Sequence, residues 1–81
     1  NRMLKADGFD EAILGMTYDM VVSEDRLIYS QKKCIDILVK RDGMTDEEAL
    51  EYMEFNVLGA YVGQNQPLFL DDLIEFDLNE L

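Results

Sequence analysis

The chain has 81 residues, 48% of them hydrophobic, and its 18 acidic and 7 basic side chains give a formal net charge of -11. This length allows one compact domain with a modest core, and the hydrophobic share argues against wholesale disorder. The negative charge argues against direct binding of nucleic acid, whose phosphates are contacted by Lys and Arg, and against an anionic membrane surface.

Two further features of the composition limit the chemistry. The chain has no histidine, the commonest general base and metal ligand. Its single cysteine, Cys34, cannot form an intramolecular disulfide, which is typical of a reducing compartment. The sequence has neither a run of about 18 apolar residues nor the apolar centre of a signal peptide near its start. We therefore expect a cytoplasmic protein without a membrane partner.

The first predicted element is a β-hairpin. Residues 12–22 and residues 26–30 are rich in β-branched and aromatic side chains, and the polar residues 23–25 between them favour a turn. Gly15 interrupts the first run, which predicts a bulge or a close approach to a helix.

A first helix is predicted over residues 31–41. Ser30 can cap it, because a serine hydroxyl accepts a hydrogen bond from an N–H group of the first turn. Gly43 is expected to end the helical region, since glycine readily adopts the left-handed conformation found there. The residues predicted to be buried share one face of the helix: Cys34, Ile35 and Leu38.

A second helix is predicted from Asp46 to about Leu58. Thr45 and Glu48 have the spacing of a capping box, in which each side chain bonds the backbone N–H of the other residue. Helical spacing predicts four buried residues on this element: Ala49, Leu50, Met53 and Val57.

The remaining elements complete the predicted fold. Pro67 ends a polar loop and forbids further helix, and residues 68–70 are an apolar run predicted to join the hairpin as a third strand. The expected fold class is α+β, with an antiparallel β-hairpin plus a third strand packed against two antiparallel helices in two layers. We expect residues 1–70 to form this single domain and residues 71–81 to form an acidic, amphipathic C-terminal tail.

The charge is divided unevenly along the chain. Residues 1–40 contain seven acidic and six basic side chains, whereas residues 41–81 contain eleven acidic side chains and a single basic one, Arg41. The acids that follow Thr45 directly are explained by the positive end of the helix dipole. Glu51, Glu54 and the acids of the tail have no such local explanation.

Several segments resemble those of a known group of proteins. They are residues 8–15, 29–30, 34–38, 43–45, 47–49, 54–63 and 67–69. Over roughly residues 8 to 70 the chain resembles small, uncharacterised proteins encoded by bacteriophages and prophages, and residues 55–63 are the most specific part. The resemblance implies a phage or bacterial setting, with the host cytoplasm as the location, and it implies no established activity. The acidic tail lies outside it.

The sequence offers little for catalysis. Glu47, Glu51 and Glu54 share one helix face and could act as paired acids if burial separated their pKa values, but they lie opposite the apolar stripe and are expected to be hydrated. Cys34 lies on the apolar face of its helix and is expected to be a core thiol rather than a nucleophile. The tail acids lack the spacing of a calcium loop. We expect no enzyme, no cofactor and no metal site.

With catalysis and metal binding disfavoured, protein binding through an exposed surface is the candidate function. The tail alternates acids with large apolar residues, aligning Ile74, Leu78 and Leu81 if helical, or Ile74, Phe76 and Leu78 if extended. Such a segment either packs on its own domain or binds in a groove of a partner. The candidate partner-binding residues are Glu47, Glu51, Glu54, Asp71, Asp72, Glu75, Phe76 and Asp77.

Two hypotheses follow from these residues. The first is a small accessory protein of the phage or prophage type that binds another protein, basic or nucleic-acid-binding, in its sharpest form by mimicking the charge of a nucleic acid. The second is a structural or assembly module that forms a homo-oligomer, such as a homodimer, through its tail.

Overall fold

A computed structural model describes residues 2–81 of the chain. It contains three strands, β1 (Ile13–Asp19), β2 (Glu24–Ser30) and β3 (Leu68–Leu70), and two helices, α1 (Gln31–Asp42) and α2 (Asp46–Tyr52). A π-helical turn, Met53–Val57, continues α2, and 3-10 turns lie at Asp10–Ala12 and Leu78–Glu80. The predicted α+β class, with a hairpin, a third strand and two helices, is confirmed.

The three strands form one mixed sheet with β2 in the centre. β1 pairs with β2 in antiparallel orientation, and β3 pairs with the other side of β2 in parallel orientation. The register of β1 shifts between Ile13 and Gly15, so the predicted bulge is confirmed.

The hairpin turns earlier than the sequence predicted. β1 ends at Asp19 and the turn occupies residues 20–23, so the prediction of a turn at residues 23–25 is wrong by about two residues. The cause is the Asp19 side chain, whose Oδ1 accepts hydrogen bonds from the N–H groups of Val21 at 3.0 Å and Val22 at 3.4 Å. An aspartate that bonds the backbone just ahead of it is a common initiator of turns.

Tyr29, on the central strand, lies at the middle of the core. It is fully buried, and its ring stacks on that of Phe69 of β3 with 5.3 Å between the ring centroids. Its hydroxyl oxygen accepts a hydrogen bond from the backbone N–H of Ala6 at 2.9 Å. One side chain therefore joins the N-terminal segment, the central strand and β3, which are distant in sequence.

The apolar face of α1 and both helix starts agree with the sequence patterns. Cys34, Ile35 and Leu38 are buried, and Gly43 has a φ of 71°. The capping box is present, with Thr45 Oγ1 accepting from the N–H of Glu48 at 3.1 Å and the Glu48 carboxylate accepting from the N–H of Thr45 at 2.9 Å. Within residues 2–81, the helices lack the length and the apolar character that a membrane span requires.

The second helix differs from its prediction in two ways. Leu50 is 41% exposed, because the buried line of Ala49, Met53 and Val57 runs at four-residue spacing and leaves Leu50 to one side. The α-helix also ends at Tyr52 rather than near Leu58. After Tyr52 the helix continues as a wider π-helical turn, in which the N–H of Leu58 bonds the carbonyl of Met53, five residues earlier, at 2.9 Å.

The Tyr29 hydroxyl generates the first prediction. Tyr29→Phe leaves the buried N–H of Ala6 without its acceptor, and we expect the free energy of unfolding in urea to fall by about 1–3 kcal/mol. Tyr18 lies on the adjacent strand β1 with an exposed side chain, so Tyr18→Phe is the matched control and should leave the stability unchanged. Equal losses in the two variants would contradict this role of Tyr29.

Candidate protein-binding surface

The N-terminus of α1 needs a negative charge that its own sequence does not supply. The first turn contains no acidic residue, and Lys32 and Lys33 place two cations near the positive end of the helix dipole. Asp72, forty residues further on, supplies the missing charge. Its Oδ1 accepts a hydrogen bond from the N–H of Lys32 at 2.9 Å, and its Oδ2 accepts one from the Ser30 hydroxyl.

Ser30 connects this carboxylate to the helix cap. It is fully buried, and its Oγ donates to Asp72 while accepting from the N–H of Lys33 at 3.0 Å. Gln31 adds a further link, because its Nε2 donates to the carbonyl oxygen of Phe69 at 3.3 Å. The end of β3 and the start of the tail are therefore joined to the first turn of α1.

These contacts favour the ionised form of Asp72. Partial burial raises the pKa of its carboxyl group, but hydrogen bonds from the Ser30 hydroxyl and the Lys32 N–H outweigh this effect, and the charge of Lys32 acts in the same direction. The net pKa of Asp72 lies below its usual range. A charged carboxylate therefore holds the tail to α1 at neutral pH.

We call the hydrogen bonds of the Asp72 carboxylate to Ser30 and Lys32 the Asp72 anchor. Beyond this anchor the tail exposes its large apolar side chains. Ile74, Phe76, Leu78 and Leu81 are 70–91% exposed. The segment is neither the helix nor the strand considered from its sequence: residues 73–77 have no regular structure, and a 3-10 turn follows at residues 78–80. Asp71 and Asp77 shape it locally, since their carboxylates accept hydrogen bonds from the N–H groups two residues ahead.

The tail folds around a shallow cavity of about 330 Å³. It is lined by Asp71, Ile74, Glu75, Phe76, Asp77, Glu80 and Leu81. Four of the predicted partner-binding residues, namely Asp71, Glu75, Phe76 and Asp77, therefore meet at one place. Asp72 does not line this cavity, because its carboxylate faces α1. We call these seven lining residues together with Leu78 the tail surface.

The predicted acids of the second helix occupy a separate region. Glu47, Glu51 and Glu54 are all exposed, and within residues 2–81 none of them forms an ion pair with Lys or Arg. Glu51 lines a second cavity of about 330 Å³, together with Met44, Glu48, Tyr52, Phe55 and Asn56. Glu47 and Glu54 line neither cavity.

Sequence reasoning missed the aromatic part of this second cavity. Tyr52 and Phe55 are exposed three residues apart on the helical segment, and their spacing on the side opposite the buried line was the available signal. The two aromatic rings therefore form an exposed apolar surface beside Glu51.

Cys34 has the environment of a core thiol. It is fully buried, and burial, with a smaller effect from the charge of Asp72, raises the pKa of its thiol to about 11. A thiol with this pKa is protonated at neutral pH and is a poor nucleophile. No group of three or more Cys, Asp or Glu side chains in the described part of the chain is arranged to hold a metal ion.

Comparison of the chain with protein-family models, with curated proteins and with solved structures finds no match. The resemblance to phage and prophage proteins therefore stays a prediction from the sequence.

The anchor at Asp72 generates the second prediction. Asp72→Asn removes the charge at the α1 N-terminus, and we expect the free energy of unfolding at neutral pH to fall by about 0.5–1 kcal/mol. Asp71→Asn is the matched control, since within residues 2–81 the Asp71 carboxylate bonds the N–H of Leu73 in the tail and no group of α1. A loss of equal size in Asp71→Asn would contradict the anchor.

The same contact fixes the sign of a pH dependence. Because folding lowers the pKa of Asp72, its unfolded form binds a proton first as the pH falls, so this part of the stability is complete above about pH 4 and is lost below it. The difference in unfolding free energy between wild type and Asp72→Asn should therefore shrink in acid. A difference that grows below this pH would show that the carboxylate is not stabilised by folding.

The burial of Cys34 generates the third prediction. A thiol-specific reagent at mildly alkaline pH is expected to label the folded protein far more slowly than the same protein in concentrated urea, because the thiol is both inaccessible and protonated. Absorbance of the released chromophore measures both rates. Labelling at the same rate in both conditions would contradict the buried thiol.

Proposed function

We propose that this chain is a non-enzymatic accessory protein that binds another protein through the tail surface. The observation that carries the proposal is the exposure of Ile74, Phe76, Leu78 and Leu81 at 70–91% in one short segment. Single exposed apolar residues are common on soluble proteins, whereas a contiguous group rimmed by polar residues marks an interaction site. The Asp72 anchor supports the proposal, because it holds the chain against α1 immediately before these exposed apolar residues.

The negative charge of the tail surface favours a partner with a basic binding face. Four of its members are carboxylates, Asp71, Glu75, Asp77 and Glu80, and no basic residue follows Arg41 in the sequence. The matching face is an apolar groove rimmed by Lys or Arg. Such a pair associates faster because of electrostatic steering, and the effect weakens as salt screens the charges. The resemblance of residues 8 to 70 to phage and prophage proteins supports the bacterial host cytoplasm as the proposed location of this partner.

A sharper form of the proposal is mimicry of nucleic acid. Glu47, Glu51 and Glu54 add a second set of exposed carboxylates without ion-pair partners within residues 2–81. The partner is then a nucleic-acid-binding protein, and duplex DNA competes with the chain for it.

Self-association through the tail is the weaker alternative. A two-fold contact places the same surface of both copies together, so the carboxylates of one tail would face those of the other. Like charges in contact are unfavourable, and the tail surface has no cation to offset them.

The fourth prediction tests the tail surface by capture from a bacterial lysate on the immobilised chain. The wild type is expected to capture a basic protein at low salt, and Ile74→Ser/Phe76→Ser/Leu78→Ser is expected to lose it. The matched control is Met20→Ser/Val21→Ser, which removes two even more exposed apolar side chains at the hairpin turn and should keep the capture. A third variant, Asp71→Asn/Glu75→Gln/Asp77→Asn, should slow association and reduce its salt dependence.

Capture that is absent at low salt, or that survives the triple serine variant, overturns the proposal. With the captured protein purified, an excess of duplex DNA should release it if the chain mimics nucleic acid. Retention in the presence of DNA removes mimicry and leaves protein binding in place.

A further inference from the structure

The sheet has two edge strands, the short β3 of three residues and the long β1 of seven residues. On the β3 side the chain continues beside β2, where Asn65 Nδ2 donates to the carbonyl of Asp25 at 3.0 Å and the N–H of Leu4 bonds the carbonyl of Asn65 at 3.0 Å. On the other side lies β1, seven residues long, and no segment of the described chain pairs with its outer edge. The unpaired backbone groups of β1 form a template for another strand.

β1 lacks most of the features that protect edge strands. It contains neither Lys nor Pro, its only charged residue is Asp19 at its end, and a bulge lies at its start. Leu14, Met16 and Tyr18, at two-residue spacing along it, are 46–54% exposed. The edge therefore combines free hydrogen-bonding groups with apolar side chains.

We propose that β1 pairs in antiparallel orientation with β1 of a second copy, giving a continuous six-stranded sheet. The two-fold axis passes through Met16, the central residue of the strand, so that all seven residues find a partner. In this register Leu14 lies opposite Tyr18 of the partner subunit, and Met16 lies opposite Met16 of the partner subunit. The contact is isologous, so it closes at two copies.

The distribution of charge selects a second copy as the occupant. The acidic tail leaves the sheet from β3, at the edge opposite β1. Two copies joined at β1 therefore place their tails at the two outer edges of the joint sheet, where the acidic segments are farthest apart. The contact itself joins two strands that have one charged residue each, so it meets little like-charge repulsion. A strongly basic partner, by contrast, gains nothing from this neutral edge.

The proposal is independent of the tail surface. Pairing at β1 leaves both tails free, and a dimer would present two tail surfaces to its partner. It also moves self-association away from the tail, where like charges oppose it.

The fifth prediction is a change of mass measured by light scattering. The wild type is expected to have about twice the 9.4 kDa mass of the single chain at millimolar concentration. Met16→Lys and Met16→Glu are each expected to fall to the single-chain mass, because like charges meet at the axis. An equimolar mixture of the two variants is expected to return to the double mass, since the lysine of one copy then faces the glutamate of the other.

The mixture also guards against misfolding, because a variant that fails to fold would not be rescued by its counterpart. Phe76→Lys is the matched control: it places the same charge on an exposed apolar residue of the tail and should keep the double mass. A wild type of single-chain mass, a mixture that is not restored, or loss of the dimer in Phe76→Lys alone each overturns pairing at β1. None of these outcomes bears on capture of a partner by the tail surface.

Discussion

The hydrogen bonds between Ser30, Asp72 and the first turn of α1 are the contact on which the arrangement of this molecule depends. At this point the central strand ends, the first helix begins and the C-terminal tail leaves the sheet. The first turn of the helix contains two lysines and no acid, so a carboxylate from elsewhere in the chain stabilises its unpaired N–H groups and its dipole. Asp72 provides this carboxylate, and its hydrogen bonds also hold the first residues of the tail against α1.

This contact explains how a tail of exposed apolar residues has a defined position. In the core, Tyr29 of the central strand packs against Phe69 of β3, and the apolar faces of the helices pack around them. Residues 73–81 contribute nothing to the buried core. Joined to α1 by the hydrogen bonds of Asp72 at its start, the tail presents its apolar side chains and carboxylates to solvent. The opposite edge of the sheet, at β1, is nearly neutral, so the molecule separates a charged surface from a strand that can pair.

The parts of this fold that follow from neighbouring residues could be predicted from the sequence. The Thr45–Glu48 capping box, the glycine at residue 43 and the buried face of α1 depend on residues within about four positions of one another. The Asp72 contact could not be predicted, because forty residues separate the carboxylate from the helix that needs it. The exposure of Leu50 and the widened turn after Tyr52 were missed for a related reason, since packing against the rest of the fold decides both.

Of the candidate site, Asp71, Glu75, Phe76 and Asp77 were predicted individually, and their shared cavity required the tail conformation. The position of the tail depends on Asp72 being held as a carboxylate at the α1 N-terminus. A carbon-13 NMR titration of the Asp72 carboxyl carbon measures the pKa of this group in the folded protein. We expect a midpoint below the value of about 3.9 for a free aspartate, whereas a midpoint at or above that value would show that folding does not stabilise the carboxylate.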